Sequence, residues 1–172
     1  RMEEILVQYE EFIARVHALI DRNRIFIDRM RNVGVISTAD ALSYGCTGVM
    51  LRSTGVPRDL RKDTPYLAYA DLDFDVPVGI NGDNYDRYAV RLAEIKESCK
   101  IIDPALDGLP EGPFIPEDRK VALPPRHELA TSMEALIHHF KLVTEGFRVP
   151  PGEVYFPIEA PRGELGCFVR AD

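Results

Sequence analysis

The sequence predicts a mainly α protein built from long amphipathic helices, with a small β-hairpin near the C-terminus. Three stretches repeat apolar residues at three- and four-residue spacing, the period of one helix face. Two short strand-like runs near the end flank a Pro-Arg-Gly turn, the pattern of a hairpin. A chain of 172 residues with 45% hydrophobic content can bury a core of its own, so residues 1–172 are expected to form a single region.

The first helix is carried by Met2, Ile5, Leu6, Tyr9, Phe12, Ile13, Val16, Leu19 and Ile20. Glu3, Glu4 and Glu10 lie early in it and Arg22 late, the charge order that suits a helix dipole. A second helical piece runs from Ile25 to Met30 and stops near Gly34. Ser37 and Asp40 have capping-box spacing, and the short helix they open should end at Gly45. The segment GVMLRSTGVPRDLRKDTPY, residues 48–66, is too interrupted by Gly and Pro for a long helix and too charged for a buried strand. A solvated loop is its default reading; the alternative is a buried ion-pair network that shapes a site.

Asp83 is placed to cap the next helix. Its stripe is Tyr85, Tyr88, Ala89, Leu92, Ile95, Cys99, Ile102 and Leu106, with Pro104 limiting the far end. Residues 108–126 hold five prolines and few apolar clusters, which predicts a surface loop. Thr131 and Glu134 repeat the capping-box spacing before a helix striped by Met133, Leu136, Ile137, Phe140 and Val143 and ended by Gly146. Residues 154–158 and 165–169 then read as two strands joined across Pro161-Arg162-Gly163.

A net charge of −7 argues against nucleic acid or an anionic lipid surface as the main partner. No apolar run approaches the roughly 20 residues that span a bilayer, so membrane contact is expected to be peripheral. Cys46, Cys99 and Cys167 are far apart and odd in number, which suits a reducing compartment and gives no zinc or iron–sulfur spacing. No metal ligands and no catalytic residues are assigned. His138 and His139 are adjacent and project about 100° apart on a helix, so they cannot share one metal. A hydrogen-bonded structural role is favoured for His138 and for His17, and a solvated one for His127.

Two groups stand out as candidate sites. Glu159, Arg162 and Glu164 place one cation between two carboxylates at the hairpin tip. They read either as an exposed turn with weak ion pairs or as a loop facing a cavity. Arg52, Asp59, Arg61 and Tyr66 offer guanidinium–carboxylate pairing that specifies loop geometry. Asp83, Asp86 and Arg87 are explained by capping and local ion pairs.

Four blocks in series carry a resemblance: residues 48–66, DFDVPVGINGDNYDRYAVRLAEI (73–95), TSMEALIHHFKLVTEGFRVPPGEVY (131–155) and EAPRGELG (159–166). Together they resemble the D-type subunit of the proton-pumping NADH-quinone oxidoreductase, respiratory complex I. The first and last blocks also resemble the nickel-iron hydrogenase large subunit, whose fold that family shares. The resemblance implies a hydrogenase-large-subunit-like fold and a place in the module that passes electrons from NADH through iron–sulfur clusters to quinone, coupled to proton translocation. It implies an internal part of a longer chain, inactive by itself, at the cytoplasmic face of a bacterial inner membrane.

It further implies that the chain binds no cofactor alone. Quinone would sit in the chamber of the whole subunit, and NADH, FMN and the iron–sulfur clusters on other subunits. The implied partners are the iron–sulfur subunit with the terminal cluster, a C-type subunit and the membrane-arm subunit at the quinone entry. Arg162, with Glu159 and Glu164, is implied to line the chamber, because the matching hydrogenase loop approaches the metal cavity. Arg52, Asp59, Arg61 and Tyr66 are expected in a rigid wall. The family's headgroup-binding histidine and tyrosine lie upstream of Arg1 and match nothing here. The rival readings are a membrane-bound hydrogenase large subunit, decided by nickel-binding CxxC pairs, and a helical scaffold with no site.

Overall fold

A computed structural model describes residues 2–172, apart from the side chain of Glu3; Arg1 and the expected charge of Glu3 lie outside the described residues. Among the described residues there are seven α-helices and one two-stranded sheet; five of the helices and the hairpin follow in the order the sequence predicts, and two short helices lie in the segment read as a loop. Two compact units are formed: one by the chain up to Leu109 with Phe156–Cys167, the other by Pro110–Tyr155 with Phe168–Asp172.

The first unit gathers around one long helix. α1 (Met2–Ile20) is followed by α2 (Arg24–Met30), which Asn23 caps by accepting from the backbone of Ile25 and Phe26. α3 (Thr38–Ser43) opens with the expected Ser37 cap, whose hydroxyl accepts from Asp40 N and donates to the Asp40 carboxylate. α4 (Gly48–Arg52) and α5 (Leu60–Asp63) are short helices inside the charged segment. α6 (Asn84–Asp107) is capped by Asp83 and packs against α1, α2 and α4. It carries Pro104 internally and ends at Gly108, one turn beyond the expected limit. Near a helix end a proline forfeits a single backbone hydrogen bond, so the last turn survives.

Residues 48–66 are not a solvated loop. Val49, Leu51, Arg52, Ser53, Asp59 and Leu60 are all buried. The Gly and Pro breaks divide the segment into two short helices that fold inward. The cost of burying charge is met by pairing, as described below.

The second unit holds α7 (Met133–Thr144), preceded by a 3-10 turn at Glu128–Ala130. Its cap is Ser132, one residue later than the Thr131 spacing suggested, and Ser132 accepts from Ala135 N. Ala135 faces inward and is buried, whereas the predicted stripe is not covered: Met133, Phe140 and Val143 are 71%, 67% and 63% exposed. His138 is half-buried, with Nε2 3.6 Å from the Glu134 carboxylate one turn earlier, beyond hydrogen-bond reach. His127 is exposed.

β1 (Gly152–Ala160) and β2 (Gly163–Ala171) pair across Pro161-Arg162, each strand longer than the apolar run that predicted it. Burial concentrates at the tip. Residues 152–156 are exposed, whereas 157–160 and 163–164 are partly or fully covered.

A candidate site at the hairpin tip

The tip is seated by a contact between two glycines. Gly48 has φ +61° and Gly163 φ +133°, backbone states that favour glycine. A Cβ on Gly48 would lie 2.4 Å from the Gly163 Cα, and one on Gly163 would lie 2.5 Å from Thr47 Oγ1. At Gly48 a side chain would run into backbone, and at Gly163 it would displace the Thr47 hydroxyl while adopting a backbone conformation already strained for it. Thr47 occupies the N-cap position of α4 but makes no side-chain cap. Its hydroxyl instead accepts from Glu164 N at 3.0 Å, tying β2 to the start of the helix.

This seating brings β1 to the end of α4, where Arg52 is 2% exposed. Arg52 Nε donates to Glu94 Oε1 on α6 at 2.7 Å. Its Nη1 donates to Glu159 Oε1 at 2.8 Å and to the Arg58 carbonyl at 2.9 Å, and stands 3.9 Å from Asp59 Oδ2. Asp59 has a cation of its own. Arg61 grips both of its oxygens, Nε to Oδ1 at 3.0 Å and Nη2 to Oδ2 at 2.7 Å, while Asp59 also caps α5 by accepting from Arg61 N. Such two-point pairing fixes orientation as well as charge. Arg61 in turn lies over the ring of buried Phe74, 5.0 Å from its centre. The Tyr66 hydroxyl accepts from Glu159 N at 3.1 Å, and its ring meets Tyr69 and Phe156 edge-on.

Five of the seven sequence-nominated residues therefore converge: Arg52, Asp59, Arg61, Tyr66 and Glu159. Glu164 turns to Arg58, at 3.4 Å on a half-exposed edge. Arg162 does not sit between the two carboxylates. It is exposed at the tip and makes no hydrogen bond or ion pair with a described residue, because Glu159 and Glu164 are engaged by Arg52 and Arg58.

Beside the cluster lies a cleft of about 310 Å³, lined by Arg61, Arg91, Glu94, Ser98, Glu159 and Pro161 among others. Sequence reasoning missed Glu94 and Arg91, both on α6. The stripe through Leu92 and Ile95 drew attention to another face, yet Val90 is buried and Glu94 follows it by one turn. A buried arginine on a neighbouring element was the only signal that α6 had to supply a carboxylate.

The carboxylates of the cluster differ in proton affinity. Burial pushes Asp59 up, but the hydrogen bonds from Arg61 and the charges of Arg61 and Arg52 outweigh it and hold Asp59 below the usual aspartate value. Burial also pushes Glu94 up, and there Arg52 and Arg61 offset it only in part, so Glu94 stays above the usual glutamate value.

A second set of polar groups, centred on buried Asp83, fastens the loops before α6. Asp83 accepts from Asn32 N at 2.9 Å and from Asp86 N at 2.8 Å. Asp86 accepts from the backbone of Ile80 and Asn81, and Arg87 donates to the carbonyls of Gly82 and Gly34. The capping role read from the sequence is present and reaches further along the chain. His17 meets Tyr88, with Nδ1 3.4 Å from the phenol oxygen, on an exposed edge. Among the described residues, no group of three or more His, Cys, Asp or Glu could hold a metal ion, and no helix is long and apolar enough to cross a membrane.

All 172 residues match the family model described as respiratory-chain NADH dehydrogenase, 49 Kd subunit. The chain belongs to that family. It is similar to the D-type subunit of the NADH-quinone oxidoreductase of Pelobacter propionicus, 55% identical over the whole chain and 43% of that protein. The mitochondrial NADH-ubiquinone oxidoreductase 49 kDa subunit of Neurospora crassa is 52% identical over 96% of the chain and 34% of its own length. The corresponding D-type protein of Ehrlichia canis is 51% identical over 95% of the chain and 42% of its length. The chain thus spans less than half the length of these 49 kDa-family relatives.

Proposed function

We propose that this chain forms part of the protein wall around the quinone in the quinone-reducing module of a proton-translocating NADH-quinone oxidoreductase. The observation that carries this reading is the family match over the full 172 residues. In that setting electrons come from NADH through flavin and iron–sulfur clusters on other subunits, the last cluster lying in a neighbouring subunit. A C-type subunit and the membrane-arm subunit at the quinone entry are the other partners, and the module lies at the cytoplasmic face of a bacterial inner membrane. The wider fold is that shared with the nickel-iron hydrogenase large subunit.

The redox chemistry belongs to the cofactors and to quinone; this chain contributes position and charge. Arg52, Asp59, Arg61, Tyr66 and Glu159 fix the geometry of the wall. Arg58 holds Glu164 at the tip. Arg162 is a guanidinium without a protein partner among the described residues, presented by a tight turn at the end of a seated hairpin. In the assembled enzyme it faces the chamber and sets the charge felt by quinone as electrons and protons arrive.

The test is Arg162→Ala in membranes holding matched amounts of assembled enzyme. NADH-to-quinone turnover should fall several-fold, while NADH-to-ferricyanide turnover, which draws electrons upstream, stays at the wild-type rate. Arg162→Lys should be milder but not silent, because an ammonium does not reproduce the guanidinium fork. Wild-type rates for both acceptors in Arg162→Ala would remove Arg162 from the chamber.

A further inference from the structure

The cluster beneath the hairpin tip holds more negative than positive charge. Arg52 and Arg61 supply two cations to Asp59, Glu94 and Glu159, three carboxylates, and four of these five side chains are no more than 15% exposed. A surplus charge in a site of low dielectric is costly, and binding one proton removes it.

The three carboxylates are not equal hosts for that proton. Both oxygens of Asp59 are held by Arg61. Both oxygens of Glu159 accept hydrogen bonds, from Arg52 and from Leu60 N. Glu94 accepts from Arg52 through Oε1 alone; its other oxygen receives no hydrogen bond from a described residue, and its side chain is 17% exposed. It also lines the cleft. The charged groups around it are Arg52 from α4, Asp59 and Arg61 from the start of α5, Glu159 from β1, and Arg91 on its own helix. Arg91 shares the cleft but pairs with no described residue, so it does not neutralise Glu94 by contact.

We propose that Glu94 is a proton-exchange site, which carries the surplus proton of the Arg52 cluster and passes it to and from the cleft. The exchange involves only the carboxyl O–H bond. The proton leaves Glu94 for a water or another acceptor in the cleft, and the carboxylate left behind draws on Arg52. When the proton returns, the Arg52 charge is left to Glu159. The protonation state of Glu94 thus sets how firmly Arg52 holds the strand that leads to the hairpin tip. The upward shift of Glu94 by burial agrees with this assignment. The assignment rests on the charges of this chain and not on what fills the cleft.

Infrared pH-difference spectra of the native complex test it, comparing wild type with Glu94→Gln, Glu94→Asp and Glu159→Gln. The wild type should show a carboxylic-acid carbonyl band that is lost as pH rises through a midpoint above that of an ordinary glutamate. Glu94→Gln, which keeps the acceptor for Arg52 Nε, should lack this band, and Glu94→Asp should restore it. Glu159→Gln removes the surplus negative charge, so the midpoint should fall by about one pH unit or more. A band unchanged by Glu94→Gln overturns the proposal. So does a midpoint that Glu159→Gln leaves in place, and this second arm stands even where Glu94→Gln fails to assemble.

Discussion

Residues 48–66 and helix α7 reverse the usual distribution of polarity. The first is rich in charge, and its Arg52 and Asp59 are 2% and 1% exposed. The second is rich in apolar residues, and Met133, Phe140 and Val143 stand well out of cover. The difference is one of partners. The buried charges of the first region, Arg52 and Asp59, find counter-charges inside the chain, on α6, α5 and β1. The apolar stripe of α7 finds nothing equivalent among the described residues. A buried charge must be satisfied locally or it is not buried at all, whereas an apolar face can await a neighbour. Satisfaction within the chain therefore marks a self-contained element, and an uncovered stripe marks one that depends on surroundings.

The largest expected effect breaks the first region. Arg52→Met leaves Glu94, Glu159 and Asp59 with Arg61 alone, and removing one partner from a buried pair costs about 3–5 kcal/mol. Urea unfolding of the chain should show that loss; a change within about 0.5 kcal/mol is what a solvated loop would give. Somewhat smaller is the effect of Gly163→Val. The new side chain meets Thr47 and is strained at φ +133°, so about 2–3 kcal/mol should be lost and the tip should become sensitive to limited proteolysis.

A pH series sharpens the contrast inside the cluster. Asp59 lies below its ordinary value, so its contribution is present above the unfolded pKa and is lost as pH falls through the lower folded one. Glu94 lies above its ordinary value, so its contribution is complete below the unfolded pKa and is lost as pH rises through the folded one. Asp59→Asn should therefore lose ground to wild type as pH rises from the strongly acid range. Glu94→Gln should gain ground as pH climbs above the ordinary glutamate range. Denaturant midpoints across that span should give slopes of opposite sign. The smallest effect on stability belongs to α7. Phe140→Ser should change unfolding by no more than about 0.5 kcal/mol, yet reduce self-association and hydrophobic-dye binding of the isolated chain. An unchanged dye signal would mean that the exposed stripe is not a sticky surface.

The elements were legible because their signals are local. Helical spacing located α1, α6 and α7, Ser37 and Asp83 announced the starts of α3 and α6, and the Pro-Arg-Gly turn announced the hairpin. The inward side of α7 was not legible, because a stripe declares that a face is apolar and not that the same chain covers it. The candidate site was half legible. Arg52, Asp59, Arg61, Tyr66 and Glu159 were picked out by residue type, but their convergence depends on Gly48 meeting Gly163 across a long stretch of chain. Glu94 was hidden for the same reason: its role is set by an arginine 42 positions away. Pairing Arg162 with its sequence neighbours failed because strand direction sends Glu159 and Glu164 to Arg52 and Arg58 instead.

The most direct test of a charged segment locked to the hairpin is a double-mutant cycle between Arg52→Met and Glu159→Gln, read by equilibrium unfolding. A direct buried contact predicts that the two losses are not additive, with a coupling of about 1.5–3 kcal/mol. Losses that add within about 0.5 kcal/mol would mean that Arg52 and Glu159 act independently and that the hairpin tip is not held by this pair.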